Sequence, residues 1–562
     1  MNILIGGAAG QGMDTIAHLL GQTLTRAGYG VLTSKDYMSR VRGGHNFVLL
    51  RVEEVTPWAP STHADILVAL NAETFAVHST RLTANAQIIF DPNVFPLPAT
   101  ESRGAPVALG ALARTAGGAV LASTVAAGAV MALIGEPLTH AQKLLAELYD
   151  TPLREQNLAA LSAGFVAALP MKQTDTTLPT PNSAAPQLFI DGSSALGMAA
   201  LASGCRFVSA YPMTPATGVV TYLASKQSEY DLVVEQAEDE IAAINMVLGA
   251  SFAGVRSLTC TSGGGFALMV EGLSLAGMTE TPIVVVLAMR PGPATGLPTR
   301  TEQGDLNFAI FGGHGEFPRA VLAATSLEDA FYRLNKAFNL ADKYQMPVIF
   351  LTDQHFADTA RAILPYDFSR LVYERHLAPQ VLGSHPYRRY AYTPDGLSPR
   401  ALPGQYAGEV VLADSDEHDE DGHIIEDSAT RIAMMQKRML RMGLVGAEMD
   451  EPQFYGHPTA EILLIGWGST HGAIREAVDI LCAGGKQAAM LHFSDLWPLP
   501  LENVAQLLPL ARVSVCIENN ATGQFAALLR REAGLEASHA LLKFDGRPFT
   551  AEEIVSEVNS YV

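Results

Sequence analysis

Short continuous apolar runs alternate along this chain with stretches whose apolar positions recur at helical spacing. NILIGG reads as a buried strand, and MDTIAHLLGQTLTRAG as a helix with one apolar face. YGVLTSKD, ADILVALN and AQIIFDP continue the alternation. It returns in FVSAYP, DLVVEQ, RSLTCTS, PIVVVLAM, RAVLA and MPVIFLTD, and again in AEILLIGWGST, QAAMLHFSDLWPLP and RVSVCIENN. Apolar strands separated by helices predict mostly parallel sheets. The expected fold class is α/β, with three parallel-sheet α/β domains.

Two stretches break the pattern. LPMKQTDTTLPTPNSAAPQ, rich in Pro, Thr and Ser, reads as a linker. Later, HPYRRYAYTPDGLSPRALPG, an acidic run and the helix ATRIAMMQKRMLRMGL form a long irregular arm. The expected organisation is a first domain over 1–170, a linker over 171–187, a second domain over 188–375, the arm over 376–458 and a third domain over 459–562. The acidic run holds Asp414, Asp416, Glu417, Asp419, Glu420, Asp421, Glu426 and Asp427. Such a run reads first as a solvated loop, with a metal site or docking surface as the minority alternative.

Composition narrows the function. At 562 residues the chain is long enough for several domains, and 48% hydrophobic with 17% charged residues is the balance of a packed globular protein. A net charge of −20 argues against nucleic acid or an anionic membrane surface as partner. The 4 cysteines, Cys205, Cys260, Cys482 and Cys516, include no CxxC, so a zinc finger or a complete iron–sulfur site within the chain is not expected. Isolated cysteines, no signal-like N-terminus and no membrane-length apolar run predict a cytoplasmic location.

Candidate chemistry gathers at strand ends. Gly6, Gly7, Gly10 and Gly12 follow a strand and open a helix, where backbone amides hold a phosphate or simply make a tight turn. The spacing is not GxGxxG, which argues against a nicotinamide dinucleotide. Arg40 and Arg42, beside Gly43, Gly44 and His45, offer fork-shaped donors to phosphate or carboxylate, or salt bridges to surface acids. Thr214 sits between Pro212 and Pro215, presented from a stiff loop or capping it. Glu240 opens a helix of small apolar residues, a costly place for a carboxylate without a partner, although a helix-start acid on the dipole is the plainer alternative. Glu235, Glu238 and Asp239 are close enough to compete for any such role. Arg290 ends the strand PIVVVLAM in a Pro/Gly loop, suited to a substrate carboxylate.

YPMTP, EDEIAAI, TSGGGFALM and LAMRPGPATGLPTRTEQGDL resemble the α subunit of 2-oxoacid:ferredoxin oxidoreductases. SRVRGGHN and GGAAGQG resemble that family's γ domain, here fused ahead of the α part, and EHDEDGHIIED resembles a stretch of its 2-oxoglutarate branch. The resemblance implies a γ domain, a thiamine-pyrophosphate pyrimidine-binding domain and a transketolase C-terminal-like domain. It implies a cofactor, thiamine pyrophosphate, shared with a β subunit that carries Mg²⁺ and a 4Fe–4S cluster. The chain itself has neither a GDG…N motif nor cluster cysteines, and no metal site is expected in it. Coenzyme A and ferredoxin complete the reaction, in an (αβ)2 heterotetramer.

By the same resemblance Glu240 pairs with the aminopyrimidine and helps generate the reactive thiazolium carbon. Thr214 and Arg290 hold the substrate, and Tyr211, Ser262 and Gly263 line the cofactor. Arg40, Arg42, Gly43 and Gly44, with the opening glycines, meet coenzyme A. The expected reaction is oxidative decarboxylation of 2-oxoglutarate to succinyl-CoA, reversible in the CO2-fixing sense. Its second carboxylate needs a cation, for which Arg290, Arg300, Arg40, Arg42 and His45 are candidates. Pyruvate or branched-chain 2-oxoacids, a non-oxidative thiamine enzyme and a noncatalytic scaffold subunit are the alternatives.

Overall fold

The computed structural model describes residues 1–38, 43–173, 178, 180–181, 185–380 and 386–562. It divides into two compact units. The first comprises Met1–Asp191, Asp358–Pro365 and Thr550–Ile554, and the second comprises Gly192–Ala357, Tyr366–Phe549 and Val555–Val562.

The first unit is built on one 8-stranded sheet. Asn2–Ala9, Ala64–Ala69, Leu82–Phe90 and Gly104–Pro106 are parallel neighbours. On the other side the sheet turns antiparallel, through Gly43–Glu53, Gly30–Asp36, Ala360–Ile363 and Leu188–Asp191. The sheet is therefore mixed. The stretch GGHNFVLLRVE, whose first glycines the sequence offers as part of an anion-binding loop with Arg40 and Arg42, is an 11-residue strand paired on both edges. Its alternation of Val48, Leu50 and Val52 places those residues in the core on one face, opposite Leu49. That core is closed by the helix Ala122–Ile134, buried almost all round and free of charge, as such a sequence must be.

The second unit holds two sheets. Across the first lie Asp495–Trp497, Ala320–Ala323, Pro347–Asp353, Ile283–Met289, Ser257–Thr261, Phe207–Ala210 and Val233–Gln236. All neighbours are parallel except Asp495–Trp497, which runs against Ala320–Ala323. The second sheet has Gln453–Gly456, Ala488–Phe493, Ile462–Trp467, Val513–Glu518 and His539–Leu542. Asp495–Trp497 lies in the third sequence segment but pairs in the other sheet. One apolar cluster accordingly spans both, from Ile244, Phe266 and Val285 to Ile465, Trp467 and Phe525. Among the described residues no helix is long and apolar enough to cross a membrane.

The irregular arm is fastened by buried charge. Asp342 accepts hydrogen bonds from Arg256 Nε at 2.8 Å, Arg375 Nε at 2.9 Å and Arg400 Nη2 at 3.0 Å. Glu280 accepts from Lys437 Nζ at 2.9 Å, with Arg441 Nη1 at 3.5 Å. The acidic run is divided rather than wholly solvated. Glu417 takes two bonds from Arg438, at 2.9 and 2.6 Å, and one from Arg431. His418 is buried with its ring 4.0 Å from that of Tyr390. Asp427 caps the helix Ser428–Gly446 through the amides of Ala429 and Thr430. Within the run, Glu417 answers a cationic helix face and Glu420 and Asp421 meet Arg388, pairings invisible to local composition.

Candidate active site

Two helices of the second unit begin after the carboxyl ends of two strands of its 7-stranded sheet, which flank Phe207–Ala210 on either side. Glu240–Phe252 follows the strand Val233–Gln236, and Gly263–Met278 follows Ser257–Thr261. The carboxyl edge of a parallel sheet is where such folds place ligands. Asp239 caps the first helix, accepting from Ala242 N at 2.7 Å. Glu235 and Glu238 are exposed. Glu240 alone of the four acids points inward, 3% exposed, and its Oε1 is buried without a hydrogen-bond partner. A buried carboxyl oxygen left unpaired is costly, and a bound group that brings a donor would relieve that cost.

The facing turn is shaped to leave room. A Cβ added at Gly265 would sit 2.4 Å from Glu240 Oε1 and 2.1 Å from Thr261 Oγ1, and one at Gly263 would sit 2.5 Å from Asp305 Oδ2. Only glycine tolerates these approaches. Ser262 occupies the N-cap of its helix but makes no capping bond, and its Oγ is buried and unpartnered. Asp305 repeats this at the N-cap of Leu306–Phe311, with no capping bond and a buried, unpartnered Oδ2. Cap residues that forgo their own amides are unusual, since the cap bond normally stabilises the helix. Three orphaned oxygens, on Glu240, Ser262 and Asp305, thus surround one glycine turn.

Thr214 and Arg290 join at the same edge. Arg290 Nη1 donates to the Thr214 carbonyl at 2.7 Å. Burial lowers the Arg290 guanidinium from its usual range, and Asp305 opposes that shift. The Asp305 carboxyl is pushed up to about 6 by burial, against the pull of Arg290. The structure therefore brings Thr214 to Arg290, and sets Glu240, Ser262, Gly263 and Asp305 around one turn. Tyr211 stands exposed in the loop after Phe207–Ala210. The sequence reading missed Asp305. Its signal was an aspartate at a helix start, a pattern that ordinarily means only a cap.

In the first unit the expected anion cradle resolves unevenly. Gly10 and Gly12 form the turn, with φ of 88° and 84°, conformations that favour glycine. They line a cavity of about 650 Å³ with Gln11, Asp91, Ser123 and Thr124. Gly6 and Gly7, expected in the turn, lie instead inside the strand Asn2–Ala9, because the apolar run continues through them. Their missing side chains make room for Thr74 and for Leu70 and Gln11. Gly43 and Gly44 open a strand, and Gly44 approaches Met38. His45, a candidate substrate cation, is buried with its Nε2 2.7 Å from His78 Nε2, and burial lowers its pKa, which removes it from that role. Arg40 and Arg42 lie outside the described residues.

A family model described as pyruvate flavodoxin/ferredoxin oxidoreductase, thiamine diphosphate-binding, matches residues 198–437. A second, pyruvate ferredoxin/flavodoxin oxidoreductase, matches residues 2–167. The 2-oxoacid:ferredoxin oxidoreductase subunit alpha of a Sulfolobus species is 32% identical over 98% of this chain and 95% of its own. The 2-oxoglutarate oxidoreductase subunit KorA of Mycobacterium tuberculosis is 28% identical, over 98% of this chain and 90% of its own. A solved 2-oxoglutarate:ferredoxin oxidoreductase from Magnetococcus marinus, with 2-oxoglutarate, coenzyme A and succinyl-CoA bound, is 30% identical. It superposes with a TM-score of 0.93, covering 100% of this chain and 99% of that one.

Proposed function

The chain belongs to the 2-oxoacid:ferredoxin oxidoreductase family, and from that membership we propose that it is the α subunit of an enzyme oxidising 2-oxoglutarate to succinyl-CoA and CO2. The observation that carries this reading is the buried, unpartnered Glu240 Oε1 over Gly265. It fits thiamine pyrophosphate, whose aminopyrimidine brings a donor to a carboxyl and whose flat ring needs a wall without side chains. When bound, the cofactor supplies the electron sink for loss of CO2.

The chain's own residues then divide the work. Glu240 holds and exchanges a proton with the pyrimidine ring. Ser262, Gly263 and Tyr211 border the cofactor. The Thr214 hydroxyl and the Arg290 guanidinium, joined through the Thr214 carbonyl, hold the reacting end of the 2-oxoacid. Arg300, on the same loop as Arg290, is the candidate cation for the distal carboxylate. Three unpaired oxygens are hard to reconcile with a noncatalytic scaffold, which gains nothing by keeping them. Coenzyme A would meet the first domain at Arg40, Arg42 and the Gly10–Gly12 turn. A partner β subunit would bring Mg²⁺, the 4Fe–4S cluster and the path to ferredoxin in an (αβ)2 assembly. Four free thiols agree with a cytoplasmic setting.

Steady-state rates with 2-oxoglutarate, pyruvate and branched-chain 2-oxoacids, with coenzyme A and a viologen acceptor, test the substrate. A preference for pyruvate would overturn it. This chain alone is expected to bind thiamine pyrophosphate weakly and to show no turnover. Activity from a preparation holding no second polypeptide would defeat the two-subunit reading. Arg290→Lys keeps the charge and loses the fork. It is expected to raise KM for the 2-oxoacid and lower kcat/KM by the equivalent of about 2–5 kcal/mol, leaving KM for coenzyme A unchanged. An unaltered KM for the 2-oxoacid would mean that its carboxylate is held elsewhere.

A further inference from the structure

We propose that Asp305 is a second acid of the substrate site, and that the 2-oxoacid binds together with a proton taken up on this residue. The inference rests on the reading of Thr214 and Arg290 as the substrate's carboxylate site. It adds the group that tunes their affinity.

Asp305 is held where it is by its loop. Gln303 is fixed by four hydrogen bonds. Its N–H donates to Asn519 O at 2.6 Å, its Nε2 to Trp467 O at 2.8 Å, while its Oε1 accepts from Asn519 N at 2.9 Å and its carbonyl from Asn520 Nδ2 at 3.2 Å. Gln524 then clasps both flanks of Asp305, donating to Gly304 O at 2.7 Å and accepting from Asn307 N at 2.9 Å. The backbone on each side of the aspartate is therefore rigid. Its carboxyl, which at a helix start would normally accept from the helix amides, is turned instead over Gly263 with Oδ2 unsatisfied.

The charged groups whose fields reach it are Arg290, at the end of the strand Ile283–Met289, and Glu302, on its own loop. From the glycine helix it meets Gly263, beside the uncharged Ser262 hydroxyl. An ionised Asp305 cancels part of the Arg290 charge and repels an arriving carboxylate. A protonated Asp305 leaves Arg290 free to pair and offers an O–H to the same carboxylate, the proton-sharing arrangement of two close acids. The proton comes from solvent, and no bond of the substrate is made or broken in this step. Burial already favours the neutral form, and further burial by a partner or a substrate favours it more.

The test uses the complete complex of this chain with its partner subunit and thiamine pyrophosphate. It measures kcat/KM for 2-oxoglutarate from about pH 5.5 to 8.5, a profile that reports ionisations of the free enzyme. The wild type is expected to lose about tenfold per pH unit above an inflection at or above pH 6. Asp305→Asn keeps a neutral donor, and is expected to flatten the profile and to bind at pH 8 about as well as the wild type at pH 6. Asp305→Leu removes the donor, and is expected to raise KM roughly tenfold or more at every pH without changing the circular dichroism spectrum. The inference is overturned if Asp305→Asn retains the wild-type inflection. It is equally overturned if Asp305→Asn raises KM at every pH as Asp305→Leu does, for then the anion is what the site needs. Arg290→Lys in parallel separates the two readings. If KM is untouched there as well, the substrate site itself is misassigned. If KM rises there while Asp305→Asn keeps the wild-type profile, only the role of Asp305 falls.

Discussion

Glu240→Gln is expected to leave the fold and subunit assembly intact and to lower turnover by about 10²–10⁴, the usual cost of removing one positioned acid or base. The substitution keeps the shape of the side chain in a closely packed place, where Gly265 lies against the carboxyl. It removes the ability to exchange a proton with the cofactor's ring. The direct readout is hydrogen–deuterium exchange at the thiazolium carbon in the assembled enzyme, before any 2-oxoacid is added. Exchange should slow by the same factor as turnover. Glu238→Gln is the control, because Glu238 is exposed two residues away on the same segment. Loss of exchange in Glu238→Gln with normal exchange in Glu240→Gln would reverse the assignment.

The second large effect concerns the arm. Glu280 is fully buried, and its side chain faces Lys437 and Arg441 of the helix Ser428–Gly446. Its carbonyl accepts from Arg389 Nη2 at 2.7 Å. Burial alone would raise the Glu280 carboxyl, but Arg441, Lys437 and Arg389 outweigh it and hold it at about 2. Glu280→Ala leaves those cations buried without their anion, and is expected to cost about 3–5 kcal/mol of stability. The midpoint of urea unfolding, followed by tryptophan fluorescence, measures it. A loss below about 1 kcal/mol, the range of an exposed ion pair, would mean that the cluster does not hold the arm. The sign of the pH effect follows from the lowered pKa. Against a reference value of 4.5, the stabilisation is complete above about pH 4.5 and is lost as pH falls toward 2. Glu280→Gln should remove that acid-sensitive part, because glutamine has no charge to lose.

Much of this protein is written locally. Apolar runs such as PIVVVLAM and MPVIFLTD can be satisfied only as buried strands, and both are central in their sheet. Helical spacing between them dictates coverage of both faces and hence an edge at which loops collect. The stiff Thr214 loop, the glycine turn after Thr261 and Arg290 at a strand end were therefore legible before any coordinate. Also legible was the poverty of the chain in cluster cysteines.

Tertiary structure alone decided which polar groups are left wanting. The sequence set four acids side by side from Glu235 to Glu240, and only the direction of the helix start turned one inward. Asp305 looks like a cap until its unmade bond is seen, and the clamp that holds it comes from Asn519, Asn520 and Gln524, more than two hundred residues away. Glu417 reads as one acid of a solvated run until Arg431 and Arg438 of the helix Ser428–Gly446 meet it, and Lys437 of the same helix reaches Glu280 from across the sequence. In the first unit two strands claimed Gly6, Gly7 and Gly43, which local reading gave to an anion cradle, because backbone pairing with neighbouring strands holds them extended. The division has one physical cause. Burial of apolar side chains is proportional to local pattern and can be read along the chain. Satisfaction of a buried charge or hydrogen-bonding group depends on partners that only the folded chain brings within reach.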